Sequence, residues 1–292
     1  MTSATYDVPL ELAHRGRRRG HWPLAWFGGP LALVALVSLA APLLPLDPPR
    51  QQDLANTLQP PVGFGGTWAH PLGTDKLGRD LLSQLVWGGR LTLFIAVTGM
   101  LVAIVPGALL GLLAGYRRGA WDAIVSRLAD SVLALPFVLV AIAIIANRGA
   151  SIGVLLAVLA ITGWARCARI VRAEALGLRE RPFVLGLRAA GASELRIALR
   201  HVLPNLSGTI VVLAALQMGT VILAESALSY LGLGVPPPSI TWGSILAGGN
   251  DVLTQAWWIT TFPGIAITIV VLLLNLLGDA LLITFDPKKR RY

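Results

Sequence analysis

The sequence predicts an all-α membrane protein of six transmembrane helices, on three observations. Only 13% of the 292 residues are charged and 55% are hydrophobic, where a soluble domain carries about 25% charged residues. The Lys, Arg, Asp and Glu are clustered. They leave apolar runs near or beyond the roughly 20 residues that a helix needs to cross a bilayer. Strict period-2 alternation is absent, which sets a closed barrel aside. A soluble globular enzyme is excluded first.

The elements follow in order. A polar segment, 1–22, precedes a first span at 23–46. Ser38-Leu39-Ala40 resembles a signal-peptide cleavage site, but the long polar lead-in and the continuation Ala41-Pro42-Leu43-Leu44 favour an uncleaved span. Residues 47–90 form a long outer segment punctuated by Asp, Gly and Pro. The core, 91–285, then holds five apolar runs: Leu91–Gly115, Ala123–Ala146, Ile152–Val171, Leu203–Ala224 and Ile259–Phe285. Two longer connections interrupt it, a basic one at 172–202 and a Gly-, Pro- and Trp-rich one at 225–258. Connections beyond about 12–15 residues are usually functional or disordered, and Trp242, Trp257 and Trp258 favour an ordered one at the interface. A basic tail, 286–292, ends the sequence, and no repeat at a period of 20–50 residues is visible.

Charge decides the topology. Of the 24 Lys and Arg, 19 fall on the side of the first segment: Arg15, Arg17, Arg18, Arg19, Arg117, Arg118 and Arg127, the eight arginines from Arg166 to Arg200, and Lys288 to Arg291. Arg50, Lys76, Arg79, Arg90 and Arg148 remain on the other. The positive-inside bias makes the first side cytoplasmic, with both termini there. The net charge of +9 therefore reads as topology, and no basic stripe interleaved with aromatics points to nucleic acid. One cysteine, Cys167, excludes a disulfide framework, and four scattered histidines suggest no metal site.

The connection 172–202 is the most informative stretch. Pro182 suits a first helical turn. Phe183, Leu187, Gly191, Leu195 and Leu199 recur every four residues, with Arg188, Glu194, Arg196 and Arg200 beside that line. Gly191-Ala192-Ser193 marks a break, with Ser193 placed to cap a second short helix and Glu194 in its first turn. Two short helices outside the membrane therefore carry an apolar stripe. It packs either on the protein's own bundle, on the lipid surface, or against a cytoplasmic partner.

The run from Gly191-Ala192-Ser193 to His201-Val202-Leu203-Pro204-Asn205 resembles the coupling loop of ABC importer permeases. His70-Pro71-Leu72-Gly73-Thr74-Asp75-Lys76-Leu77-Gly78-Arg79-Asp80, followed by Gly89-Arg90, is similar to an outer signature of the dipeptide and oligopeptide branch. Ala224-Glu225-Ser226-Ala227-Leu228-Ser229-Tyr230-Leu231-Gly232-Leu233-Gly234 and Trp242-Gly243-Ser244 are similar to the same branch. So are Asn275-Leu276-Leu277-Gly278-Asp279 and Asp286-Pro287. The resemblance covers about residues 68–288 and is to the C-type permease, a pattern that nickel importers share.

The resemblance implies a type I importer arrangement. A homologous B-type permease would complete the pore, two ABC ATPase subunits or one fused ATPase would bind ATP and Mg, and an external binding protein would deliver di- or oligopeptides. The chain has no G-x-x-x-x-G-K-S/T loop, so no cofactor and no catalytic residue is expected on it. The location it implies is a bacterial inner membrane. The coupling candidates are Phe183, Val184, Leu187, Arg188, Gly191, Ala192, Ser193, Glu194, Arg196 and Pro204. One departure stands out: the family's Glu-Ala-Ala triplet falls on Leu185-Gly186-Leu187, so Arg181, Arg188 or Glu194 become the candidates for polar contacts.

Asp75, Arg79, Asp80 and Arg90 are read as an internal salt-bridged clamp or, alternatively, as a partner contact. Glu225, ionisable at membrane depth, either meets a peptide amino terminus or caps a re-entrant helix. Trp242 is a pathway candidate. Gly107, Gly111 and Gly115 read as a helix-packing face, Arg127 and Asp130 as a pair with each other or a neighbour, and Cys167 as packed. An ion-driven transporter needs ionisable groups near mid-membrane, whereas Asp130, Glu225 and Asp279 sit nearer span ends. An intramembrane hydrolase lacks a second aspartate to partner Asp279. Peptide length, nickel, haem and glutathione are not separated by the sequence.

Overall fold

The structure, a computed structural model, describes residues 22–285. Residues 1–21 of the expected first segment, with His14 and His21, and the basic tail 286–292 lie outside the described residues.

Every apolar run expected to span is helical. The first, α1 (Trp22–Leu39), ends sooner than expected and passes into a 3-10 turn at Ala41–Leu43. Pro42 is the reason, because it lacks an N–H and constrains the residue before it. The second, α2 (Leu81–Arg117), starts ten residues earlier than the apolar run. Asp80 sets that start: its side chain accepts from Ser83 N at 2.7 Å, the N-cap bond that satisfies an otherwise orphan donor. At 37 residues α2 is about 55 Å long, so it projects beyond the bilayer.

The third run is not one helix. It divides into α3 (Ala120–Ala134) and α4 (Phe137–Arg148), bent by 86°. Pro136 breaks it, removing a donor and holding Leu135 extended at ψ 129°. The fourth, α5 (Ile152–Arg179), is capped by Ser151 and runs eight residues past its apolar stretch. After two short helices, α6 (Pro182–Ala189) and α7 (Glu194–Ile197), comes α8 (Leu203–Tyr230). A short helix, α9 (Trp242–Gly248), precedes α10 (Trp258–Phe285). Four helical stretches are long and apolar enough to cross a membrane unaided, α3–α4 is a bent fifth, and α1 is a shorter apolar helix. Among the described residues the only strand-like feature is an isolated bridge between Thr74 and Asp80.

The backbone of the bundle is α2 against α5. A Cβ on Gly107, Gly111 or Gly115 would lie within 2.5–2.6 Å of the carbonyl oxygens of Trp164, Ala168 and Arg172. Only glycine permits that approach, the small-residue packing that joins helices where lipid is as apolar as leucine. Cys167 is buried in this seam, with Sγ 3.7 Å from the Ile104 carbonyl. Asp130 pairs with Arg169 of α5 and not with Arg127, and Asp122 pairs with Arg172, so two ion pairs tie α3 to α5.

Candidate functional site

At one end of the bundle the chain turns twice. Pro182 occupies the first turn of α6, and α6 ends on a Schellman turn. Ala192 N donates to Leu187 O at 3.1 Å, and Gly191 N donates to Arg188 O at 3.0 Å. Gly191 takes φ +80°, and nothing lies within 4 Å of where its Cβ would be. Conformation, not space, is therefore what requires glycine here. Ser193 holds the N-cap position of α7, but its side chain makes no capping bond. Nor does a fresh helix start at Pro204: α7 continues through a π-helical turn at Ala198–Val202 into α8. A proline one residue inside α8 has no N–H for the preceding turn, and the wider turn absorbs that gap.

The apolar residues of this element divide into two sets. Val184 and Ile197 are fully buried, with Leu187 and Ala192 packed against the same cluster as Leu112, Tyr116, Val171 and Val202. Phe183, Leu185, Leu195 and Leu199 point outward, 42%, 51%, 70% and 46% exposed. The single stripe expected at every fourth residue is thus replaced by one face on the bundle and another left uncovered. Arg188 bridges both oxygens of Glu194 at 2.7 and 3.2 Å and staples α6 to α7. That carboxylate raises the Arg188 guanidinium above its ordinary value. Arg196 and Pro204 are exposed.

Residues not singled out in the sequence tie together the helix ends beside the element. Arg179 donates to the Tyr116 carbonyl at 2.8 Å and covers the Tyr116 ring, and Arg118 pairs with Glu180 at 2.5 Å. These contacts fix the ends of α2 and α5 beside the double turn. Their only sequence signal is a polar residue placed just past an apolar run.

At the opposite end residues 47–80 fold over α9 and the start of α10. Asp75 is buried and accepts four bonds: Oδ1 from Leu77 N (2.9 Å) and Arg79 N (3.0 Å), Oδ2 from Arg79 Nε (2.7 Å) and Gln84 Nε2 (3.0 Å). Asp80 caps α2 and stands 3.2 Å from His70 Nδ1. Arg90 takes no part in this cluster; it lies within α2, its guanidinium 5.2 Å over the Trp87 ring. The geometry brings Asp75, Arg79 and Asp80 together and leaves Arg90 apart.

Trp242 begins α9, with its backbone N donating to Thr92 Oγ1 (3.0 Å) and Nε1 donating to Leu85 O (2.8 Å). Trp258 Nε1 donates to Thr74 O at 3.0 Å. Glu225, 1% exposed, accepts at Oε1 from Ser229 and Thr241 hydroxyls, each at 2.7 Å. Thr241 in turn caps α9 through Ser244 N. Glu225 therefore holds the residue that caps α9. Its Oε2 and the neighbouring Ser226 hydroxyl have no hydrogen-bond partner among the described residues. A cavity of about 570 Å³ separates the two segments at this end, lined on one side by Lys76 and Arg79 and on the other by Ser239 and Ile245.

The helical bundle thus carries a surface pair of short helices at one end and a folded cap at the other. Residues 107–291 match the binding-protein-dependent transport system inner membrane component family, and the chain belongs to that family. A putative peptide transport system permease of Brucella suis is 42% identical over 88% of this chain and 85% of its own length. The di/tripeptide transport system permease of Pseudomonas aeruginosa is 39% identical over 88% and 86%. A glutathione transport system permease of Pectobacterium atrosepticum is 36% identical over 88% and 84%. The chain is thus a multi-pass, non-catalytic permease subunit of a multi-component ABC importer.

Proposed function

We propose that this chain forms, with a homologous permease, the membrane pathway of an importer for di- or oligopeptides. The α6–α7 end faces the cytoplasm, as the arginine distribution indicates, and both termini lie on that side of a bacterial inner membrane. ATP and Mg bind to separate ATPase subunits, and an external binding protein delivers the substrate to the α9 end. The observation that carries the coupling role is the apolar face that α6–α7 leaves outward: Phe183, Leu185, Leu195 and Leu199. The peptide class rests on the relatives named for peptide transport.

The fold supports a mechanism of this kind. The ends of α2 and α5 are tied to each other beside α6–α7, Val184 and Ile197 are buried against the bundle, and α7 runs unbroken into α8. A displacement imposed by the ATPases therefore moves these helices as rigid bodies, and the bundle needs only two packings for them to choose between. Leu185 stands where the family has an acidic residue, so apolar burial carries more of the docking, and the Arg188–Glu194 pair sets the shape of the docking face.

The test is to replace Phe183 and Leu195 together by Asp. Both are exposed, so insertion and folding should survive. Losing two apolar anchors at an interface centre costs about 2 kcal/mol or more each, and the ATPases should drop out of a mild-detergent pull-down. Retained ATPases and normal uptake in the double variant would remove the docking role. A second reading, transport of glutathione, is favoured by the Pectobacterium relative. Competition between glutathione and a labelled dipeptide for uptake separates the two.

A further inference from the structure

Five basic residues occupy the α9 side of the sequence, against the charge bias that places most of the others at the opposite end. The structure pairs two of them, Arg79 with Asp75 at 2.7 Å and Lys76 with Asp251 at 3.0 Å. Arg50 and Arg90 make no ion pair among the described residues. Both line one groove of about 470 Å³, whose walls include Trp87, Leu91 and Ile240 and no acidic side chain.

The position of this groove says what fits it. Arg90 sits where α2 enters its long apolar run, and the stack on Trp87 fixes the guanidinium without neutralising it. Trp at this level is characteristic of the membrane–water boundary. From Arg90 inward, Phe94, Val97, Leu101 and Val105 follow at offsets of 4, 7, 11 and 15 residues, which is one face of a helix. That face is uncovered, at 53%, 40%, 47% and 51% exposure. A two-arginine groove thus stands directly above an apolar stripe that continues into the membrane.

We propose that the groove binds the phosphate of an anionic phospholipid whose acyl chains lie along the Phe94–Val105 stripe. Guanidinium groups match phosphate oxygens two bonds at a time. A zwitterionic lipid brings its own ammonium and offers two uncompensated arginines less net charge. The groove therefore selects lipids with net negative charge, whichever leaflet it faces. A bound lipid would brace α2 against the 48–50 turn and the 239–240 loop that leads into α9.

The test uses the intact complex purified in detergent, exposed to equal amounts of phosphatidylglycerol and phosphatidylcholine of one chain length, and weighed by native mass spectrometry. The unmodified complex should retain phosphatidylglycerol in preference. At about 1 kcal/mol per basic residue near an anionic surface, Arg50→Gln and Arg90→Gln should each cut that preference about fivefold, and together abolish it. Arg50 lies in an exposed turn, so its variant tests the idea even if Arg90→Gln folds poorly. An unchanged preference in the double variant overturns the proposal. So does displacement of the lipid by glycerol phosphate at equal concentration, which would make this a soluble-anion site. Capture of a neighbouring polypeptide by the photocrosslinker in Val97→benzoylphenylalanine would assign the stripe to a protein instead.

Discussion

The two ends of the bundle use similar residues to opposite effect. At the α9 end a set of charged and polar groups is turned inward. Asp75, Asp80, Glu225 and Thr241 are at most 6% exposed, and Trp242 and Trp258 each spend their indole N–H on a backbone carbonyl. At the α6–α7 end the pattern is reversed. The Arg188–Glu194 pair is at the surface, and four large apolar side chains face out. A buried polar network is costly to disturb because each member strands a partner; an exposed apolar face on a short double turn is instead available for another surface. On the function proposed above, the difference makes one end the rigid one and the other the docking one, and it can be broken at single residues.

Asp75→Ala should do the most damage. It removes four accepted bonds at once and strands Gln84, itself only 2% exposed, beside an uncompensated Arg79. Breaking a buried charged pair by deleting one partner costs about 3–5 kcal/mol. Thermal unfolding of the detergent-solubilised protein should show a large drop in midpoint, and a change within error would mean that the cap does not stabilise the bundle.

Two glycines sharpen the contrast, since both have positive φ. Gly78, at +69°, would place a Cβ 1.8 Å from the Asp53 carbonyl oxygen, whereas Gly191, at +80°, would meet nothing. Gly78→Ala therefore suffers overpacking, commonly about 1–3 kcal/mol, in addition to left-handed strain of about 1–2 kcal/mol. Gly191→Ala suffers the strain alone. The first variant should unfold markedly earlier; the second should fold nearly normally while changing the angle of the Schellman turn and lowering uptake per ATP hydrolysed. Equal destabilisation of the two would contradict the difference in packing.

How much of this was legible in the sequence follows from the range of the interactions. Pro182, Gly191 and the Asp75–Arg79 spacing are local signals, and each lies where its spacing implies. The four-residue spacing of Phe183, Leu187, Gly191, Leu195 and Leu199 predicts one face, but it runs across a helix end, a turn and a new helix. Periodicity loses its meaning where the axis changes direction, and the buried set is Val184, Ile197 and Val202 instead. Pro136 is a local signal of the α3–α4 break, but it lies inside an apolar run long enough to span, which alone predicts one helix. Arg169 as the partner of Asp130, and Trp258 as the donor to Thr74 184 residues away, depend on which helices meet. No spacing rule reaches that far. Arg90, expected in a clamp with Asp75, Arg79 and Asp80, stands apart because ten residues along a helix carry it about 15 Å from Asp80.

The smallest effect should come from Arg188→Gln. The pair it breaks is bidentate but about one-third and one-half exposed, at 32% and 55%, and such surface pairs contribute about 0.2–1 kcal/mol. The unfolding midpoint should therefore move little, and added salt should mimic the variant because exposed charges are screened. Coupling is the better readout. Without the staple the α6–α7 angle rests on the Schellman turn and on the Val184, Leu187, Ala192 and Ile197 packing, so ATP hydrolysis should continue with less peptide moved per cycle. Glu194→Gln should give the same loss, and the double variant no further loss, as expected of two residues acting through one bond. Additive losses would mean that each residue contacts the ATPase separately, and the docking face would then be polar as well as apolar.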